Sequence, residues 1–160
     1  MKYGRILFIC TGNTCRSPMA EAIFEDMVRR VPELQFPSFA GKSAATMDFG
    51  RHQVTSEAAQ IMHERGLNIS RHESRQINGV LVDWADVVLV MEQEHKHYVM
   101  EHFPYAGEKT HLITEYAGEQ GGIPDPFDCG IEAYRECASR IASLLNKMLE
   151  GWKRRLRELD

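Results

Sequence analysis

Cys10 and Arg16 close the two ends of the run Cys10-Thr11-Gly12-Asn13-Thr14-Cys15-Arg16, which continues as Ser17-Pro18. The apolar segment Arg5 to Cys10 before it reads as a buried strand, and the segment after it has helical spacing. A loop that leaves a strand and enters a helix turns backbone N–H groups inward at the helix N-terminus, where the dipole also favours negative charge. Thr11, Gly12, Asn13, Thr14, Cys15, Arg16 and Ser17 therefore make a site for a tetrahedral anion. The same field stabilises a thiolate, so Cys10 is a nucleophile facing whatever anion sits there. Arg16 brings a planar fork that can grip two equatorial phosphoryl oxygens and tighten as the transition state spreads charge over them. Lysine would not offer that fork. Gly12 gives the loop a position free of Cβ clashes, and Asn13 tolerates the left-handed region and can tie the loop through its side chain. Ser17 lies where its hydroxyl could donate to the Cys10 sulfur and help it leave as thiolate. Pro18 fits the first helical turn, where its missing N–H costs nothing.

This stretch resembles the phosphate-binding loop of the low-molecular-weight protein phosphatase family. A second match lies far away at Asp125-Pro126-Phe127, where that family carries its general acid, and the likeness covers nearly the whole chain in length and order of elements. Read by itself, Asp125 is a turn aspartate between two prolines; beside the Cys10 loop it becomes a carboxyl held by a stiffened segment over the anion site. The implied reaction has two steps. Cys10 attacks phosphorus while Asp125 protonates the departing atom, and Asp125 then activates water against the phosphocysteine. No metal and no cofactor is needed, the substrate is a phosphorylated protein, and inorganic phosphate is the product.

The resemblance also implies finer roles. Tyrosine-directed members carry Ile or Leu at the position of Thr14, whereas bacterial protein-arginine phosphatases carry threonine in this same run. A hydroxyl in place of an ethyl group gives room and polarity for a planar, charged phosphoguanidinium, so phosphoarginine is the expected substrate and phosphotyrosine the alternative. Phe127 and Phe49 are the expected pocket walls, and Asp128 stands where tyrosine-directed members have a second aromatic. His72 matches a histidine that buttresses the loop. The serine that braces Asn13 is expected at Ser38 or replaced by Phe39. Cys15 matches a residue that pairs with the nucleophile under oxidation, shielding it from sulfinic acid.

Two other classes share the anion loop. An arsenate reductase needs further cysteines for a disulfide relay, and residues 17 to 128 contain none. A phosphate-binding module without turnover would lose the nucleophile or the acid, and both are present.

The 160 residues, 43% of them hydrophobic, can bury one substantial core and are too few for two ordinary domains, so a single domain over 1–160 is expected. A net charge of -4 argues against nucleic-acid binding, which needs a concentrated basic face. No segment is long enough to span a bilayer and the start is too short for a secretory signal; four cysteines suit a reducing compartment. A cytoplasmic monomer is expected. Cys129 and Cys137 read as small, partly buried hydrophobes. His95 and His97, two apart on a helix, face different ways and make poor joint metal ligands.

The pattern predicts strands at Arg5 to Cys10, Gln35 to Ala40, Asp86 to Met91 and Lys109 to Thr114. It predicts helices at Pro18 to Arg30, from Thr55 or Ser56 to Arg65, at Asn78 to Trp84, at Gln93 to His102 and from Ile131 to about Glu158. Gly41 to Gln53 and Gly118 to Cys129 read as loops. Such alternation implies an α/β domain, a parallel sheet with helices on both faces, and ligand binding beyond the carboxyl ends of its strands. The resemblance specifies a three-layer α/β/α fold with four parallel strands in order 2-1-3-4, the phosphotyrosine protein phosphatase I-like fold.

Overall fold

The computed structural model describes residues 2–159. Its elements in chain order are β1 (Arg5–Cys10), α1 (Arg16–Arg29), β2 (Ala40–Ala45), α2 (Ser56–Glu64), α3 (Gly79–Trp84), β3 (Val87–Val90), α4 (Gln93–His102), a 3-10 turn (Pro104–Lys109), β4 (Thr110–Leu112), α5 (Ile113–Tyr116) and α6 (Ile131–Glu158). The strands form one parallel sheet in the order β2-β1-β3-β4.

Strand alternation divides the core in two. Ile6, Phe8 and Cys10 of β1 point into a cluster with Met19, Phe24, Ile141, Leu145 and Trp152 from α1 and α6. Leu7 and Ile9 point the other way, into a cluster with Leu81 and Val82 of α3 and Val99 of α4. Both faces of β1 are thus covered, which is why its sequence is a continuous apolar run. The chain goes from β1 to β2 on one side and then crosses to β3 on the other, so the crevice at the carboxyl end of β1 is a topological switch point. Cys10 is the last residue of that strand.

The second strand departs from the sequence expectation. It occupies Ala40–Ala45, not Gln35 to Ala40, so residues 41–45 of the expected loop are strand. Its sequence, AGKSAA, has no β-branched or large apolar residue, and the period-2 signal is correspondingly weak. Small residues are required there: a Cβ on Gly41 would lie 3.2 Å from the Phe24 ring of α1. Phe39 instead packs at the far end of the sheet against Tyr3 and Trp152. Two smaller shifts concern a helix start and a strand. α1 begins at Arg16, two residues before Pro18, and β4 is only Thr110–Leu112, because Lys109 belongs to the preceding turn and Ile113 opens α5. Thr55 caps α2 by accepting from the Ala58 N–H, and Asn78 caps α3 by accepting from that of Leu81. Among the described residues, no helix is long and apolar enough to cross a membrane.

Candidate active site

The loop from Cys10 to Arg16 is held open by one residue. Asn13 is fully buried in the left-handed region at φ 56 and uses every polar group of its side chain. Its Oδ1 accepts from the Arg75 N–H at 3.1 Å, which fixes the amide orientation, and its Nδ2 then donates to Ser17 Oγ at 2.8 Å and Ser43 Oγ at 3.0 Å. The network has a direction. Ser43, having accepted from Asn13, donates to Glu21 Oε1 at 2.6 Å; Ser17, having accepted likewise, is left to donate to Cys10 Sγ at 2.9 Å. Burial pushes the Glu21 carboxyl up, against the lowering effect of the Ser43 hydrogen bond. His72 Nε2 reaches the Asn13 carbonyl at 2.9 Å. The bracing serine is Ser43, a correction of the Ser38 or Phe39 assignment that follows directly from the true register of β2.

The first turn of α1 has no side-chain cap. Among the described residues no backbone N–H from Gly12 to Cys15 donates to another protein group, and Pro18 has none to place. Unpartnered N–H groups leading into a helix N-terminus are left for an anion, and Cys10, 1% exposed, is the residue on which this loop begins.

Arg16 lies alongside, buried and multiply restrained. Its Nη1 donates to the Glu92 carboxylate and, at 2.8 Å, to the Ile123 carbonyl. Its Nη2 approaches Thr11 Oγ1 at 3.4 Å and Asp125 Oδ2 at 3.7 Å. Its Nε is buried without a partner. Nε and Nη2 are therefore the edge of the guanidinium left for an anion, while Nη1 is the anchor. Burial alone would disfavour the charge; Cys10, the Glu92 hydrogen bond and Asp125 outweigh it, and the guanidinium is held more firmly protonated than usual.

Asp125 overhangs the cradle from the loop between α5 and α6, which is tied down by Ile123, whose N–H donates to the Met91 carbonyl at 2.8 Å. Asp125 Oδ1 accepts from the Phe127 N–H at 3.1 Å, and its side chain remains 46% exposed. Cys15 Sγ lies 3.8 Å from the same oxygen. Burial first, then Cys10 and Asp125, push the Cys15 thiol up to about 12. Across the mouth, Met47 N–H donates to the Thr11 carbonyl and brings in the segment carrying Phe49, whose ring passes 3.8 Å from where a Gly12 Cβ would stand. Thr14 Oγ1 lies 3.7 Å from that same point. Phe49 and Phe127 are more than half exposed. The structure thus brings Cys10, Arg16, Asp125, Thr14 and the Phe49 ring together, while Phe127 is joined to the group through its N–H bond to Asp125. Cys137 is buried, with its thiol pushed up to about 12 by burial, whereas Cys129 is exposed and not the partly buried hydrophobe expected.

Sequence reading missed Glu92, and weighed His95 only as a metal ligand. Their signal was the capping box that opens α4: the Glu92 side chain takes an N–H of the first turn, and His95 Nδ1 accepts the Glu92 N–H at 3.0 Å. Glu92, Glu94 and His95 bring donor atoms within 4.8 Å of one another, but Glu92 already holds Arg16 and both nitrogens of His95 are engaged, so the trio is not free for a metal.

Comparison with known proteins concerns the chain as a whole. Residues 5–158 match the family model described as low molecular weight phosphotyrosine protein phosphatase. A protein-arginine-phosphatase of Geobacillus stearothermophilus is 37% identical over 147 residues, covering 91% of this chain and 94% of its own. The crystal structure of the low molecular weight protein tyrosine phosphatase from T. tengcongensis superposes with a TM-score of 0.86 at 33% identity, over 92% of this chain and 98% of that one. A YwlE arginine phosphatase structure with a cysteine-to-serine substitution and a phosphorylated active site serine superposes at 0.85 with 30% identity, over 93% and 95% of the two chains.

Two outcomes follow for stability. Asn13→Gly loses the amide bonds but not the positive φ, whereas Asn13→Ala also places a Cβ in the left-handed region, so urea denaturation should find the alanine variant less stable by about 1 kcal/mol. Burial pushes His72 down, and burial with the Arg16 charge pushes His95 down to about 4 from 6.5. Below pH 6.5 the unfolded chain takes up protons that the folded chain refuses, so the histidine contribution is full above that pH and is lost as pH falls toward 4. Urea midpoints across this range should fall with pH, and less steeply in His95→Gln.

Proposed function

Because this chain belongs to the low molecular weight phosphotyrosine protein phosphatase family, and is a protein phosphatase, we propose that it hydrolyses phosphoarginine in proteins through a phosphocysteine intermediate. In the first step the Cys10 thiolate attacks phosphorus in line, the S–P bond forms, and the P–N bond breaks. The Gly12 to Cys15 amides and the Nε and Nη2 edge of Arg16 hold the equatorial oxygens throughout. Asp125 gives its proton to the departing guanidino nitrogen. In the second step Asp125, now a carboxylate, takes a proton from water, whose oxygen attacks phosphorus. The S–P bond breaks, Cys10 leaves as thiolate steadied by the Ser17 hydroxyl, and inorganic phosphate is released.

The observation that carries the arginine reading is the hydroxyl of Thr14 at the mouth, beside the Phe49 ring over Gly12. An isoleucine there would add apolar bulk where a leaving group enters, which favours a phenyl ring; threonine leaves space and a polar atom for a planar cation. The exposed rings of Phe49 and Phe127 offer π faces to such a cation. The 37% identity to a protein-arginine-phosphatase supports the same assignment. Phosphotyrosine is the second reading, supported by the tyrosine phosphatase superposition. Cys15, its thiol held protonated by burial and then by the Cys10 charge, does not compete for phosphorus; once peroxide has oxidised Cys10 to the neutral sulfenic acid that charge is gone, and the Cys15 sulfur attacks the Cys10 sulfur to form a disulfide with loss of water.

Two measurements test these readings. The ratio of kcat/KM on phosphoarginine to that on phosphotyrosine should exceed one in the wild type and fall by about tenfold or more in Thr14→Ile, with Cys10→Ser inactive. A wild type that prefers phosphotyrosine, with a ratio unmoved by Thr14→Ile, contradicts the arginine assignment. After brief peroxide treatment, thiol should restore the wild type and fail to restore Cys15→Ser.

A further inference from the structure

We propose that His95 is a positioning residue that turns the Thr11 hydroxyl into a fixed hydrogen-bond donor to the anion in the cradle. The inference rests on the phosphatase reading above and concerns how the same site is assembled. His95 comes from α4, is 1% exposed, and has no part in the two-step reaction. Its ring is committed at both nitrogens. The Glu92 backbone N–H can only donate, and it donates to Nδ1 at 3.0 Å, so that nitrogen holds a lone pair. The neutral ring therefore carries its proton on Nε2, which lies 2.9 Å from Thr11 Oγ1. Arg16 Nη2 is a second donor to that oxygen, at 3.4 Å. A hydroxyl has two lone pairs and one proton, and with both lone pairs facing donors the proton is directed to the one remaining vertex.

What that vertex meets follows from the neighbours. The oxygen stands within reach of Nη2, one of the two nitrogens Arg16 has left for an anion, so it stands beside any oxyanion the fork grips. A lone O–H is what an anion needs and what another cation would repel. The charged groups around the ring are Arg16, Glu92, Asp125 and Glu94, the last with Oε1 at 3.8 Å from Nε2. Burial and Arg16 keep the ring neutral, which preserves the tautomer on which the device depends.

The competing account is that His95 only caps α4, and amide substitutions separate the two. In His95→Asn the amide oxygen takes the place of Nδ1 and keeps the cap, but nothing reaches Thr11. In His95→Gln the amide nitrogen takes the place of Nε2 and donates to Thr11, but the cap is lost. With p-nitrophenyl phosphate as substrate, His95→Asn should keep its urea midpoint and lose about tenfold in kcat with little change in KM, while His95→Gln should recover most of that loss despite being less stable. Thr11→Val should reproduce the kcat loss, and adding His95→Asn to it should cost nothing more. Losses that follow stability, or that add in the double variant, overturn the proposal. So does nitrogen NMR of the labelled histidine if it finds the proton on Nδ1, a result independent of any variant. A wild type that turns over neither aryl phosphate nor phosphoarginine would instead overturn the phosphatase reading.

Discussion

The catalytic end of this protein depends on holding Asn13 in a conformation that its own backbone disfavours. At φ 56 the chain reverses tightly enough for the N–H groups of the loop to converge, and no residue with a large or branched side chain would rest there. The conformation persists because the amide is bonded on all sides, by the Arg75 N–H from one segment and by Ser43 and Ser17 from β2 and α1. Those partners are in turn fixed. Ser43 belongs to a strand paired residue by residue with β1, and Arg75 sits in a segment whose neighbours, through the Ala45 and Ile77 N–H groups, lace the end of β2. The sheet register and the loop shape are therefore one constraint. A slip of β2 by a single residue would turn Ser43 to the other face and leave the Asn13 amide short of an acceptor.

Charge is arranged on the same principle. Arg16 is buried, and a buried guanidinium is tolerable only when paired and hydrogen-bonded. Glu92 and the Ile123 carbonyl satisfy one nitrogen, and Asp125 approaches another. This division leaves one edge of the fork short of partners without leaving the whole cation unpaired. It also connects the loop bearing Asp125 to the Cys10 loop through a single side chain, since Ile123 and Asp125 both address Arg16.

Much of this was legible in the residues. The Cys10 to Pro18 run carries its own physical logic, a loop between a strand and a helix, although α1 starts at Arg16 and not at Pro18; Asp125 was singled out by resemblance, since by itself it reads as a turn aspartate. The parallel sheet and its order agree with the expected fold. β2 was misread because a strand of Ala, Gly, Lys and Ser has no apolar period, and of the two phenylalanines just before it Phe39 packs against Trp152 while Phe36 is exposed. That slip of register hid Ser43. His95 and Glu92 were invisible for a different reason: they act through contacts with residues more than seventy positions away, and what shows locally is only a helix cap.

The uncapped start of α1 has a meaning beyond anion binding. A serine or aspartate at position 15 would bond the Ser17 N–H, since Pro18 has none to offer, and make a sturdier helix, at the typical gain of about 1 kcal/mol for a good cap. The chain has cysteine there instead. Selection for thermal robustness and selection for turnover thus pull this one position in opposite directions. The fold is left with a helix that is complete only while an anion rests on it, so occupancy and folding stability are two readings of the same contact.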